Sequence, residues 1–182
     1  MHKDRDNALL EDCKRGDRQA LESMVRRYER PVFNAAFRML GNQDEAADVT
    51  QTVFLKAFEN LDRFNPKFRF FSWIYRIAIN ESINQLKRRN REEPLAESLA
   101  SSLRSPEELL ESGRVGLEIQ SALMSIHEDH RAVIVLRHFS ECSYRQIGVI
   151  LQIPEKTVKS RLFSARRQMK QRLQQKGFFP HD

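Results

Sequence analysis

Apolar residues in the first part of the chain recur at intervals of three and four. Leu21, Met24, Val25, Tyr28, Val32, Ala35, Ala36, Met39 and Leu40 hold one helical phase. The phase runs through Pro31, so a kinked helix or two stacked segments is expected, with Gly41 as its end. Asn42, with Glu45 three residues later, signals the next helix start, and Ala46, Val49, Val53, Phe54, Ala57, Phe58 and Leu61 form its stripe. Residues 62–70 read as a loop containing Pro66. Trp73, Ile74, Ile77, Ala78, Ile83 and Leu86 mark another helix, with Phe71, Ile74 and Ile77 expected inside. It closes on Lys87, Arg88 and Arg89, which suit the negative end of the helix dipole. Further on, 117–126 is a short amphipathic helix. The run Ala-Val-Ile-Val-Leu at 132–136 has strand propensity, but no second such run exists to pair with it, so it reads as a buried helix. Ser143-Tyr144-Arg145-Gln146 is a capping box opening a helix through Ile147, Val149, Ile150 and Leu151. After the turn Gln152-Ile153-Pro154, Val158, Leu162, Ala165, Met169 and Leu173 give a clean helical face over 155–176. The fold class expected is all-α.

Between the two sets of helices lies 94–113, PLAESLASSLRSPEELLESG, which is Ser-rich, acidic and free of aromatics. It reads as a flexible linker between a domain at 1–93 and a second at 114–182, able to hold one short helix begun by Ser105-Pro106-Glu107-Glu108. The two small helical domains are expected to move independently and to be separable by proteolysis. Charge supports the division: 114–182 carries 12 basic residues against six acidic ones, while 95–113 carries one against four.

Composition narrows the possibilities. Six Gly and six Pro in 182 residues disfavour a turn-rich β fold, and a net charge of +6 points to a polyanion or an acidic surface as partner. The longest apolar run, 132–136, is far short of the ~20 residues a membrane span needs. The charged first twelve residues do not fit a secretory signal, and two distant cysteines, Cys13 and Cys142, suit the reducing cytoplasm. Phosphate-loop, dinucleotide and nucleophile-elbow signatures are missing, and no paired carboxylates or nucleophile constellation stands out, so neither an enzyme nor a small-molecule substrate is expected. His127, His130, His138 and Cys142 have spacings open to zinc, but a His near a helix end is more often a charge partner. Neither a metal nor any other cofactor is expected.

A short capped helix, a tight turn and a longer basic helix make a helix-turn-helix pattern. Lys156, Lys159, Arg161, Arg166, Arg167, Lys170, Arg172 and Lys176 lie on the second helix, with Thr157 and Ser160 near its tip. Small polar residues at the tip suit base edges, and flanking cations suit phosphates. The plainer reading is a solvated basic face on a surface helix.

The segment SYRQIGVILQIPEKTVKSRLFSARRQM resembles region 4 of a bacterial RNA polymerase sigma factor. DEAADVTQTVFLKAFENLDRF followed by FRFFSWIYRIAINESINQLKRR resembles region 2 of the same family, and the order and short linker resemble its compact extracytoplasmic-function (ECF, group 4) type. The resemblance implies that Asp48, Gln51 and Phe54 dock on the β′ subunit of core RNA polymerase, with Phe54 an exposed aromatic. It implies that the segment 64–89 captures the −10 promoter element. There Phe64, Phe68, Phe70, Trp73 and Tyr75 are interleaved with Lys67, Arg69 and Arg76, aromatics to stack on unpaired bases and cations to follow the backbone. About half of these aromatics are expected to face DNA. Asn80 would hydrogen-bond an unstacked base, and Lys87 and Arg88 would meet the backbone.

In region 4 the resemblance assigns −35 contacts to Lys159, Ser160, Phe163 and Ser164, beside Lys156, Thr157, Arg161, Arg166 and Arg167. Related proteins often carry a cation where Ser164 stands, so the −35 sequence is left open. The implied partners are core polymerase through β′ and β, promoter DNA and an anti-sigma factor. The rival readings are a free-standing helix-turn-helix regulator and an RNA-binding adaptor using the aromatic–basic segment.

Overall fold

The computed structural model describes residues 2–92 and 113–178. The linker's expected short helix and flexibility, and most of the 178–180 Phe-Phe-Pro tail, lie outside the described residues. Those residues form helices α1 (His2–Lys14), α2 (Arg18–Leu40), α3 (Gln43–Glu59), a short 3-10 turn (Leu61–Arg63) and α4 (Phe70–Glu92). Then follow α5 (Gly113–Met124), α6 (Glu128–Ile134), a π-helical turn (Val135–Phe139), α7 (Tyr144–Leu151) and α8 (Glu155–Gln175). No strand occurs among the described residues, and the apolar run at 132–136 is helical and buried, as its lack of a pairing partner requires.

Local chemistry sets the helix ends. The Asp17 carboxylate accepts from the Gln19 and Ala20 amides to start α2. The helix passes through Pro31 without a break and ends where Gly41 takes φ +72°, its N–H donating to the Phe37 carbonyl at 2.8 Å. Asn42 then caps α3 by accepting from the Glu45 amide at 3.0 Å. Ser143 and Gln146 cap α7 reciprocally, as their spacing predicts. Helix α1 was not legible from periodicity; Leu10 and Cys13 bury one edge of it, and Asp6 ties it to α2 through Tyr28 (2.6 Å) and Arg27.

The phase of α4 differs from expectation. Its innermost residues are Phe70, Ile74, Tyr75, Ala78, Ile79, Ser82 and Leu86, while Phe71, Trp73, Ile77 and Ile83 pack at the margin. The two halves, expected to be independent, are in contact. Buried residues from both form one continuous core, with α2 against α5, α6 and the π turn, and α4 against α7.

Candidate docking groove and nucleic-acid interface

Helices α2 and α3 pack with an open groove of about 930 Å³ between them, lined by Val25, Glu29, Arg30, Phe33, Gln51, Phe54, Leu55 and Phe58 among others. Its floor is aromatic: Phe54 and Phe58 stack at 6.0 Å between ring centroids. Phe54 is buried, so it offers the groove only an edge, correcting its expected exposure. The residue that projects is Leu55, 57% exposed, which sequence reasoning passed over because it lies off the buried stripe of α3. Gln51 lines the groove, while Asp48 is exposed on α3 without lining it. An apolar trough with amide and charged groups at its edge suits a partner helix that carries both apolar and charged residues.

The −10 candidates fall into three sets. Phe64 and Tyr75 are turned into the core and cannot stack on bases in this structure. Phe64 packs at 5.7 Å from Phe70 and 5.3 Å from Trp73, and Tyr75 donates to the Pro31 carbonyl at 3.3 Å. Phe70 is likewise buried. The physical reason is that a four-helix unit this small needs its large rings to fill volume. Burial raises the Tyr75 hydroxyl pKa, a rise that a hydrogen bond from Ser140 partly opposes. Arg76 forms the second set: its guanidinium donates to the Val149 carbonyl of α7 at 2.8 Å, so it is engaged by protein. Lys67, Phe68, Asn80, Lys87 and Arg88 are exposed and Trp73 is half-buried. Asn80, Asn84 and Lys87 line a shared pocket with His127, Glu128 and Asp129 of the C-terminal half. Asn84 was not singled out in the sequence, although it lies four residues after Asn80 on the same helix face.

The helix-turn-helix forms as the capping box and turn predict. Gln152 adopts φ +56° at the end of α7. Gly148 lets the turn close, since a Cβ there would lie 2.9 Å from the Ile153 carbonyl oxygen. On α8, Val158, Leu162 and Ala165 face inward. Lys156, Lys159, Ser160, Phe163, Arg166 and Arg167 face out, and Phe163 is 72% exposed. Thr157, Ser164 and Arg161 are partly covered, and Arg161 is engaged with Asp129 at 2.9 Å. Lys159 pairs with Glu155 at 3.3 Å on the surface, a contact that solvent leaves weak.

Two neighbours of this face were not foreseen. Tyr144 lies beneath the Arg137 guanidinium at 5.2 Å and 6.0 Å from Lys159 Nζ. His138 Nε2 accepts from Arg166 Nε at 3.3 Å. Burial, then the charges of Arg166 and Arg137, lower the His138 pKa and favour its neutral, accepting form. The imidazoles do not converge: His127 caps α6 by accepting from the Asp129 amide, and His130 contacts Gln168. No cluster of three metal-binding side chains occurs among the described residues. Cys13 and Cys142 are both buried free thiols, and burial pushes the Cys142 pKa up to about 12.

With two helical units in this order, an apolar groove on the first and a basic helix-turn-helix on the second, the molecule has the build of a DNA-directed adaptor. Residues 24–92 match the family Sigma-70 region 2, and residues 116–169 match Sigma-70, region 4. The RNA polymerase sigma-H factor of Pseudomonas aeruginosa is 31% identical over 186 residues, spanning 96% of each chain. The ECF RNA polymerase sigma factor SigW of Bacillus subtilis is 32% identical, covering 90% of this chain and 94% of its own. The ECF RNA polymerase sigma-E factor of Escherichia coli is 33% identical, with 93% and 94% covered. Among solved structures, CnrH in complex with the cytosolic domain of CnrY aligns with a TM-score of 0.72 at 25% identity, over 93% of this chain and 97% of that one. The sigma factor RpoE bound to the anti-sigma factor NepR from Bartonella quintana shares the fold, with a TM-score of 0.65 at 22% identity over 84% and 96%. The chain belongs to the sigma-70 family of RNA polymerase sigma factors, as a member of the ECF type.

Proposed function

We propose that this chain binds core RNA polymerase and directs it to specific promoters, acting by recognition and strand opening and not as an enzyme. The observation that carries the reading is the pairing, in one chain, of the aromatic groove between α2 and α3 with the exposed basic face of α8. The first gives a helical partner apolar area to bury, and the second gives duplex DNA cations around a polar tip. The full-length match to sigma factors supports joining them in one initiation function.

In this reading Gln51, Leu55 and the edge of Phe54 meet the polymerase β′ subunit, with Asp48 supplying charge outside the groove. Lys156, Thr157, Lys159, Ser160, Phe163 and Ser164 meet the −35 duplex, where an exposed Phe163 ring fits a thymine methyl. Asn80, with Lys67, Phe68, Lys87 and Arg88, holds the unpaired −10 strand. Capture of a base offsets unpairing, a cost of a few kcal/mol per flipped base. The unit boundaries proposed are 1–93 and 114–182, with 94–113 joining them. The protein works where the polymerase is, in the cytoplasm, and an anti-sigma factor is its proposed inhibitory partner.

The test is transcription from duplex promoters with core polymerase. The chain should be required for initiation, and DNA should not be bound tightly in the absence of polymerase. Tight, sequence-specific operator binding by the chain alone would favour the free-standing regulator instead.

A further inference from the structure

The π-helical turn at Val135–Phe139 changes which side chains leave the core. Its wider winding is set by the Ser140 amide, which donates to the Val135 carbonyl at 3.1 Å. Val135 and Leu136 are buried, and Arg137, His138 and Phe139 then follow one another toward the surface. Arg137 is engaged locally: it donates to the Cys142 carbonyl at 2.9 Å and lies over the Tyr144 ring at 5.2 Å. His138 is left facing α8, where its Nε2 accepts from Arg166 Nε at 3.3 Å.

This contact sets Arg166 apart from its neighbours on α8. Lys159 is paired with Glu155 and Arg161 with Asp129, so carboxylates offset part of their charge. The partner of Arg166 is an imidazole, which in its neutral form fixes an arginine without cancelling its charge. The contact also selects an edge of the guanidinium. With Nε–H used, the Nη–H groups remain as an end-on fork, a shape that fits two oxygens of one phosphate. Arg166 lines a surface groove with Lys159, Phe163, Arg167 and Lys170, on the face proposed for the −35 duplex. It stands three residues beyond Phe163, past the tip of α8, where a long cation reaches backbone and not base edges.

We infer that His138 is a positioning residue for −35 recognition, its neutral ring holding the Arg166 guanidinium end-on toward a DNA phosphate. The inference rests on the proposed promoter-binding function. Only a neutral imidazole offers an acceptor nitrogen; protonated, His138 sets N–H against N–H and adds a second positive charge. Burial, then the charges of Arg166 and Arg137, keep its pKa below the ordinary 6.5, so the accepting form prevails at neutral pH. Groups on the other elements packed against the turn are engaged elsewhere. Arg38 of α2 covers the Phe139 ring, and Tyr144 of α7 lies against Arg137. On α6, Arg131 reaches the Met39 carbonyl, Asp129 pairs with Arg161 and His130 contacts Gln168.

The experiment measures affinity of the holoenzyme, full chain with core polymerase, for a duplex promoter located by its transcript start. The variants are His138→Leu, His138→Gln, Arg166→Ala, the double variant His138→Leu/Arg166→Ala, and Lys159→Ala as reference. Circular dichroism checks that each is folded. At about pH 8, His138→Leu should weaken binding roughly 3- to 10-fold, and His138→Gln, which keeps an acceptor oxygen, should stay within about 2-fold of wild type. The double variant should lose no more than Arg166→Ala alone, because the histidine acts through the arginine. Between about pH 8 and about pH 5.5, wild type should lose affinity relative to His138→Gln, which has no ring to protonate. Additive losses in the double variant, or His138→Gln as weak as His138→Leu, overturn the inference. So does a wild type that keeps level with His138→Gln or gains on it in acid, since the ring would then act as a cation of its own or not at all. Affinity that responds to neither Lys159→Ala nor Arg166→Ala contradicts the −35 reading, and this inference with it. Affinity that responds to both but not to His138→Leu contradicts this inference alone.

Discussion

Single residues separate reading a pattern from reading a surface. The interleaved rings and cations of 64–76 were legible as chemistry, but the pattern could not say which rings face DNA. Phe64 and Tyr75 went inward because α4 turns Phe70, Ile74, Ala78 and Ile79 to the core, and Tyr75 shares that face. Phe68, 51% exposed, remains available for stacking. Leu55 illustrates the opposite error, since an apolar residue off the buried stripe carries no signal except its own exposure. Leu55→Asp should therefore weaken core-polymerase affinity roughly 10- to 100-fold, the equivalent of losing one buried leucine, with little change in thermal stability. Competition binding against wild type measures this, and unchanged affinity would place the docking surface elsewhere. His138 supplies a test in pH. Its folded pKa lies below the ordinary 6.5, so the unfolded chain takes up its proton first as pH falls. Its contribution to stability is therefore steady above about pH 6.5 and declines below it. Denaturant midpoints of His138→Gln should fall less than those of wild type between neutral and mildly acidic pH, by a small margin because the ring is largely exposed.

At the scale of elements, caps and breakers carried most of the information. Gly41, Asn42 and the Ser143–Gln146 box each fixed a boundary, because each satisfies orphan amides or carbonyls in a way the spacing reveals. Of the two readings that Pro31 left open, a single helix running through it is the one found. The proline's missing N–H removes one backbone bond, but Val32, Ala35 and Ala36 are fully packed and keep α2 continuous. Helix α1 escaped notice because its few apolar residues sit among charges. The helix-turn-helix turn gives an element-scale prediction. Gly148→Ala places a methyl against the Ile153 carbonyl, and should cost about 1–3 kcal/mol of stability, with weakened duplex binding as the α7–α8 angle shifts. Chemical denaturation and duplex titration report both effects, and a fully neutral substitution would show that the turn has room.

The whole molecule is where the sequence was least informative. An acidic, Ser-rich 94–113 marks a boundary in composition, yet composition says nothing about whether the flanking units touch. The contact depends on Gln120 and Arg131, polar residues that look like surface positions until their partners on α2 are known. Division of labour between the units makes a further prediction. Lys159→Ala should weaken −35 binding and lower the salt dependence by about one phosphate contact. Asn80→Ala should instead impair opening. On a template pre-melted at −10 the lysine variant should recover most of its activity and the asparagine variant much less. Equal recovery would refute the division.

The most direct measurement is sequencing of transcript starts made from a genomic DNA library by core polymerase with and without this chain. The account predicts a defined set of starts that appear only with the chain, preceded by two shared sequence blocks at −35 and −10, and lost when Leu55→Asp replaces wild type. Starts unchanged by the chain, or starts lacking any shared upstream blocks, would contradict it.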